Sequence, residues 1–172
     1  MPLRELRRHN RWVIRQYRQS DADSVLALNA ANVPEVGPMD RTKLDFFADA
    51  AALISVVELD GLIEGALVVL EEDISYASPN YRWFADRHDV FAYVDRVMLS
   101  PATRGQGWGV KLYDAAAITA RALGKGVLTA EVNTEPPNPR SIHFHEAFGF
   151  VEVGRERPYG PQEEVAMFEL VL

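Results

Sequence analysis

Cysteine is absent from all 172 residues of the chain. That excludes disulfides, a thiol nucleophile and cysteine-ligated zinc, and it suits the reducing cytoplasm in which the protein is expected to work. Long apolar runs are missing as well. No stretch approaches the ~20 residues of a membrane span. The basic segment 1–11, read as a mobile arm, is not followed by the apolar stretch of a signal peptide. Positive charge is scarce: 18 Lys and Arg against 25 Asp and Glu give a formal net charge of −7. Broad nucleic-acid binding needs a basic surface, so neither a nucleic-acid nor a membrane partner is expected. An anionic ligand then needs a local positive patch, and Arg96, Arg104, Lys111, Arg121 and Lys125 fall in or near the middle of the chain. Of these, Arg121 and Lys125 read as merely solvated. The length, with no repeat, low-complexity tract or linker, gives one domain over 1–172.

The stretch around which the rest is organised runs from Val94 to Gly109. It begins as a β-rich run (Val94-Asp95-Arg96-Val97-Met98-Leu99), breaks at Pro101, and passes the alternating glycines Gly105, Gly107 and Gly109 into an alanine-rich helix. Strand, glycine turn and helix N-terminus form a physical recipe for holding a phosphate. Glycines allow positive φ and close backbone approach, and the first N–H groups of the helix point at the anion with the helix dipole behind them. A P-loop requires Gly-Lys-Ser/Thr at its end, which Gly109-Val110-Lys111-Leu112 does not supply. A dinucleotide fingerprint requires G-x-G-x-x-G after an early strand, and here the glycines read G-x-G-x-G past the midpoint. The plain alternative is an ordinary glycine-rich turn before a helix.

Taken in order, Trp12 to Tyr17 alternates as a first strand. Ser20 with Asp23 resembles a capping box for a helix carrying Val25, Leu26 and Leu28. Asp40 is placed to cap a second helix with Leu44 and Phe47 on one face. Leu53–Leu59 and Ile63–Leu70 flank Asp60-Gly61, a strong hairpin signal. Residues 71–89 hold Tyr76, Tyr81, Trp83 and Phe84 among turn formers; this is either a functional loop or short helix, or a satellite hydrophobic cluster. A strand over Val90–Leu99, a helix from about Trp108 to Leu123 and a strand over Val127–Asn133 follow. Asn138 with Pro139 starts a short helix to Ala147, and strands to Arg157 and from Val165 to Leu172 complete a mixed α/β chain with helices on both faces of the sheet.

Arg104, Gly107 and Gly109 fit Arg/Gln-x-x-Gly-x-Gly/Ala, which resembles the pyrophosphate loop of the GNAT superfamily of acyl-CoA-dependent N-acetyltransferases. Asn138-Pro139-Arg140-Ser141-Ile142-His143-Phe144-His145-Glu146-Ala147-Phe148-Gly149-Phe150 resembles that family's Asn-x-x-Ala/Ser-x-x-Phe/Leu-Tyr-x-x-x-Gly-Phe helix and turn, in register at Asn138, Ser141, Phe144 and Gly149-Phe150. The element order is similar over nearly the whole chain. Tyr93–Val97 and Glu131–Pro139 are similar to an uncharacterised bacterial subgroup of such acetyltransferases. The resemblance implies a GNAT fold: a mixed, mostly antiparallel seven-stranded sheet whose fourth and fifth strands splay apart. It implies acetyl-CoA as co-substrate and no metal. The strand backbone at Val97, Met98 and Leu99 would hold the acetyl and pantetheine groups, the amides of Arg104, Gly105, Gln106, Gly107, Trp108 and Gly109 the pyrophosphate, and Asn138 and Ser141 the pantetheine arm.

Many members have a tyrosine where His145 stands, as an acid for the departing thiolate or a group positioning the thioester. Histidine can do either, or can serve as a polar packing residue; His143 reads as structural. Asp95 is the first acid considered as general base, on the face that period-two alternation would give it with Tyr93, Val97 and Leu99, and Glu131 is the second. A water relay or a carbonyl is the alternative to either, and Arg96 can simply pair with an acidic neighbour. The acceptor pocket is expected from residues 32–40, from Tyr81, Trp83 and Phe84, and from Tyr93, Glu131 and Tyr159. The reading is direct acetyl transfer to a small-molecule primary amine, in a monomer or a homodimer built on the terminal strand and the Tyr159 turn. The alternatives are a protein N-acetyltransferase, a catalytically weak acyl-CoA-binding module, and a nucleotide-binding regulator.

Overall fold

Side-chain caps fix where three of the helices begin. Asp40 accepts from the Lys43 amide at 2.8 Å, Ser78 from Tyr81 at 3.3 Å and Asn138 from Ser141 at 3.3 Å, with Pro79 and Pro139 in the first turn, where their missing N–H costs nothing. The computed structural model describes residues 11–172; the arm expected at 1–11 lies, but for Arg11, outside the described residues. The elements are β1 (Trp12–Gln16), α1 (Ala22–Ala31), α2 (Arg41–Ala50), β2 (Leu53–Leu59), β3 (Leu62–Glu71), α3 (Pro79–Ala85), β4 (Ala92–Leu99), α4 (Trp108–Ala122), β5 (Val127–Glu135), α5 (Pro139–Phe148), β6 (Val151–Glu156) and β7 (Glu164–Val171). Asp60 and Gly61, both at positive φ (49° and 88°), turn β2 into β3.

The start of α1 departs from expectation. Ser20 is exposed and does not cap. The neighbouring Asp21, 7% exposed, accepts from the Arg18 amide at 2.8 Å and takes both ends of the Arg15 guanidinium at 2.7 and 2.9 Å. A bidentate ion pair outcompetes a solvated hydroxyl, and a 3₁₀ turn at Gln19–Asp21 leads into the helix.

The seven strands form one sheet in the order β1-β2-β3-β4-β5-β7-β6, antiparallel except for β4 against β5. One face is covered by α4 and α5, through Trp108, Leu112, Ala116 and Phe144 against Val57, Val69, Leu128 and Phe168. The other is covered by α1, α2 and α3, through Val25, Leu44, Phe47 and Phe84 against Val56, Val68, Tyr93 and Met167. Each such fully buried side chain is worth roughly 1.5–3 kcal/mol of transfer free energy. The terminal strand β7 lies between β5 and β6, so the edges of the sheet are β1 and β6.

Two irregularities shape the middle. β3 pairs Val69 with Val94 and Val68 with Arg96, so Asp95 is an extra residue in β4, a bulge. Strict alternation therefore fails there. Tyr93 packs among the α2 and α3 side chains, whereas Val97 and Leu99 pack on the α4 side. Asp95 and Arg96, consecutive in sequence, both turn toward α1–α3: Asp95 to Tyr76, Arg96 to Asn29. The second irregularity is the β4–β5 pairing, which consists of Ala92↔Leu128 and Tyr93↔Thr129 alone. Past Tyr93 the two strands part.

Candidate active site

The loop that follows β4 has the geometry of an anion cradle. Gly105 and Gly107 stand at φ 72° and 80°, with Gly107 capping α4. Among the described residues the amides of Gly107, Trp108 and Gly109 have no backbone acceptor, as expected of a first helical turn. Gly109 serves a different purpose: a Cβ there would stand 3.2 Å from Phe144 Cε2, so its bareness lets α4 approach α5. Arg104 and Lys111 are exposed beside the loop, Lys111 resting over the Trp108 ring at 4.0 Å. Lys125, expected to be solvated, is instead 7% exposed and bound to Glu71 and Glu72 at 2.8 and 2.6 Å. Two carboxylates at once make burial of that ammonium tolerable, and it takes no part in the loop.

The parting of β4 and β5 opens a cavity of about 530 Å³ through the sheet. On the α4–α5 side its wall includes Val97, Tyr113, Asn138, Ser141 and His145; on the α2–α3 side it includes Lys43, Tyr76, Ser78 and Asn80. The α1–α2 loop over 33–38, together with Tyr159 and Glu163 from the β6–β7 connection, closes round it.

Of the carboxylates that line this space, the two from β4 and β5 differ in kind. Asp95 is fully engaged: the Tyr76 hydroxyl donates to Oδ1 at 2.6 Å, and Arg96 Nε donates to Oδ2 at 2.7 Å. Arg96 is spent in turn on Asn29 and the Gly37 carbonyl at 2.7 and 3.0 Å. Glu131 on β5 receives Tyr93 and Asn80 on Oε1 at 2.9 and 3.1 Å, while its buried Oε2 has no partner. Burial first, and the charge of Asp95 second, push the Glu131 carboxyl up to about 8.

The opposite wall carries a hydrogen-bonded chain. His145 Nδ1 lies 2.7 Å from the Ser141 carbonyl, which can only accept, so Nδ1 bears the hydrogen. The neutral ring then presents Nε2 as an acceptor, and the Tyr113 hydroxyl donates to it at 2.7 Å. Burial lowers the His145 pKa, with the Ser141 carbonyl opposing, and burial raises that of Tyr113, so both are neutral near pH 7. His143 is exposed.

The structure brings together Val97, Asp95, Tyr93, Glu131, Asn138, Ser141, His145 and Tyr159 of the residues expected from sequence. Met98 and Leu99 pack their side chains on the α1–α2 and α4 sides, while the β4 backbone through Val97, Met98 and Leu99 is unpaired on its β5 edge. The structure separates others from the cavity. Phe84 is fully buried in the core, and Tyr81, bonded through its hydroxyl to the Glu71 carbonyl at 2.8 Å, packs behind Tyr93. Trp83 lies on Gly154, stacks under Arg87 at 3.3 Å and donates to Glu156 at 2.8 Å. The aromatic run thus splits between core and cavity, the cavity taking Tyr76. Tyr113, Asn80 and Lys43 are lining residues that sequence reasoning missed. The polar tyrosine among the alanines of α4 was a visible signal, since a buried phenol requires a partner.

Acetyl-CoA fits these features: positive-φ glycines and open helix amides for its pyrophosphate, a β4 edge left unpaired past Tyr93 for its pantetheine arm, and the gap for its acetyl group. Among the described residues no group of His, Asp and Glu gathers to hold a metal ion. Residues 26–150 match the family model of the acetyltransferase (GNAT) family. Comparison with curated proteins gives no match. Among solved structures, an N-acetyltransferase from Staphylococcus aureus is 19% identical, with a TM-score of 0.69 over 94% of this chain and 98% of that one. The ribosomal-protein-S18-alanine N-acetyltransferase from Escherichia coli is 16% identical, with a TM-score of 0.71 over 94% of each chain. The yncA protein from Salmonella typhimurium, solved with its cofactor acetyl-CoA, is 20% identical, with a TM-score of 0.68 over 94% of each chain. Fold, glycine loop and splayed strands agree with the family match: the chain belongs to the GNAT family of acetyl-CoA-dependent acetyltransferases.

Proposed function

We propose that the protein transfers the acetyl group of acetyl-CoA directly to a primary amine of a small molecule, both held at once in the gap between β4 and β5. The observation that carries this reading is the pairing of opposite walls: an unpartnered carboxylate oxygen on β5, and the Tyr113–His145 chain between α4 and α5. The concave cavity, with the α1–α2 loop as part of its wall, suits a small acceptor better than a flat surface would.

Acetyl-CoA supplies an acyl group already activated as a thioester. The chain's residues then have two tasks. Glu131 Oε2 takes a proton from the acceptor nitrogen, and its raised pKa brings it near the range in which a carboxylate is an effective base at neutral pH. Asp95 has both oxygens occupied, and so supports Tyr76 and Arg96 instead. The Tyr113 hydroxyl, turning from His145 Nε2 toward the sulfur, offers a hydrogen bond to the charge that develops there. His145 acts through Tyr113, as a positioning residue. Orientation of two reactants in one gap supplies the remainder, up to roughly 7–11 kcal/mol of a bimolecular barrier.

The test is thiol release from acetyl-CoA over a panel of amines, with calorimetry for acetyl-CoA, CoA and ATP. Amine-dependent release together with acetyl-CoA binding supports the assignment. Binding without release over the whole panel favours a catalytically silent acyl-CoA module, and ATP binding without CoA binding favours a nucleotide-responsive regulator.

A further inference from the structure

The acceptor side of the cavity holds three polar groups that the protein does not satisfy by itself. Glu131 Oε2 is buried without a partner. Asn80, 5% exposed at the start of α3, donates its amide nitrogen to Glu131 Oε1 but leaves its own buried Oδ1 without a donor. Because that amide already touches the Glu131 carboxylate, the two empty acceptors belong to one small site. Buried acceptors left unfilled are costly, so a ligand bearing several N–H donors belongs there, as an amine or ammonium does.

The third group is Lys43, in the first turn of α2. It is partly buried, with Nζ 5.6 Å from the Phe47 and Tyr76 ring centres. Among the described residues no carboxylate lies within ion-pair reach of it. Arg96, the other cation on the cavity wall, gives Nε to Asp95 and Nη1 to Asn29 and the Gly37 carbonyl, and its side chain is only 3% exposed. Lys43 is the more accessible cation and the one without an ion-pair partner among the described residues. It stands where the main cavity meets a second one of about 470 Å³, along with Tyr76, Ser78 and Tyr159. Glu35 and Glu163 also line the main cavity, but they are exposed, and water and salt screen them more than a half-buried ammonium.

Resting on the acetyl-transfer reading, we propose that the acceptor is an amino acid-like molecule: a primary amine held by Glu131 Oε2 and Asn80 Oδ1, carrying an anionic group that Lys43 receives. A carboxylate and a phosphate share the chemistry that Lys43 recognises.

The experiment compares ω-amino acids and aminoalkyl phosphates with neutral and cationic amines of matched length, by thiol release and by calorimetry with CoA present. Anionic acceptors are expected to show at least about tenfold higher kcat/KM, the worth of one charge-assisted contact. Lys43→Met should bring that ratio toward one, and Lys43→Arg should retain most of it. The two anionic arms distinguish carboxylate from phosphate. Turnover without a preference for anionic amines, or a preference that Lys43→Met leaves intact, overturns the proposal while acetyl transfer stands. Selective binding of anionic amines without turnover keeps the anion site and removes the acetyl-transfer reading. Neither binding nor turnover overturns both.

Discussion

The Tyr113 hydroxyl lies 2.7 Å from His145 Nε2, and the imidazole is held from behind by the Ser141 carbonyl. Tyr113→Phe removes the hydroxyl proposed to face the leaving sulfur, and leaves a buried Nε2 without a donor. A drop in kcat of about 10² is expected, the size of losing one donor to developing negative charge, with acetyl-CoA affinity changed little. His145→Phe should cost less in kcat than Tyr113→Phe, because it leaves the hydroxyl in place. Steady-state kinetics check both, and the reverse ranking would return the role to His145.

The proposed base, Glu131, predicts a pH profile. A base must be unprotonated, so kcat/KM should rise with pH through about 8. Glu131→Gln should lose that rise along with about 10²–10⁴ of the rate. Stability moves the other way. The folded pKa of about 8 lies above the ordinary 4.5, so between these values the folded state binds the extra proton, and stability falls as pH climbs from about 4.5 to about 8. Melting curves at pH 5 and pH 9 should show Glu131→Gln gaining on the parent at the higher pH.

Asp95→Asn separates scaffold from chemistry. Asp95 and Arg96 form a 2.7 Å pair with side chains only 4% and 3% exposed. Removing one charge strands the other, at a cost of roughly 3–5 kcal/mol. A large fall in melting temperature is expected, with the acetyl-CoA Kd of the folded fraction close to that of the parent. A protein of unchanged stability that turned over slowly would make Asp95 the base.

Gly107→Glu tests the cradle. A side chain at φ 80° is strained, and its charge would repel a pyrophosphate. Calorimetry should show acetyl-CoA binding abolished in a protein that still folds. Gly109→Ala offers a contrast, since its Cβ would press on the Phe144 ring at 3.2 Å and weaken the α4–α5 contact first.

Much of this architecture was legible in the residues. Asp60-Gly61, the Asn138-Pro139 start and the alternating glycines each encode local backbone geometry, and local geometry is what single-sequence patterns report. Asp95 was not legible: period-two alternation holds only until a bulge, and the bulge arises from pairing with Val68 and Val69 on a distant strand. Trp83 and Phe84 were read as pocket because aromatic side chains look alike in sequence, whether they line a cavity or fill a core. Lys43 and Asn80 have no signature at all. Their significance is a polar atom left unfilled, Nζ of Lys43 and Oδ1 of Asn80, and that is visible only once the neighbours are in place.

The two register pairs that join β4 to β5 make the sheet a book bound at one end, its covers being β1–β4 and β5–β7. With the donor proposed on the α4–α5 side and the acceptor on the α2–α3 side, the two would come in through opposite pages, neither would need the other's doorway, and each could leave while the other remained. A molecule built as CoA joined covalently to the acceptor has no such freedom. It would thread the spine, lace the two covers together, and hold the binding shut against heat more firmly than the separate ligands combined.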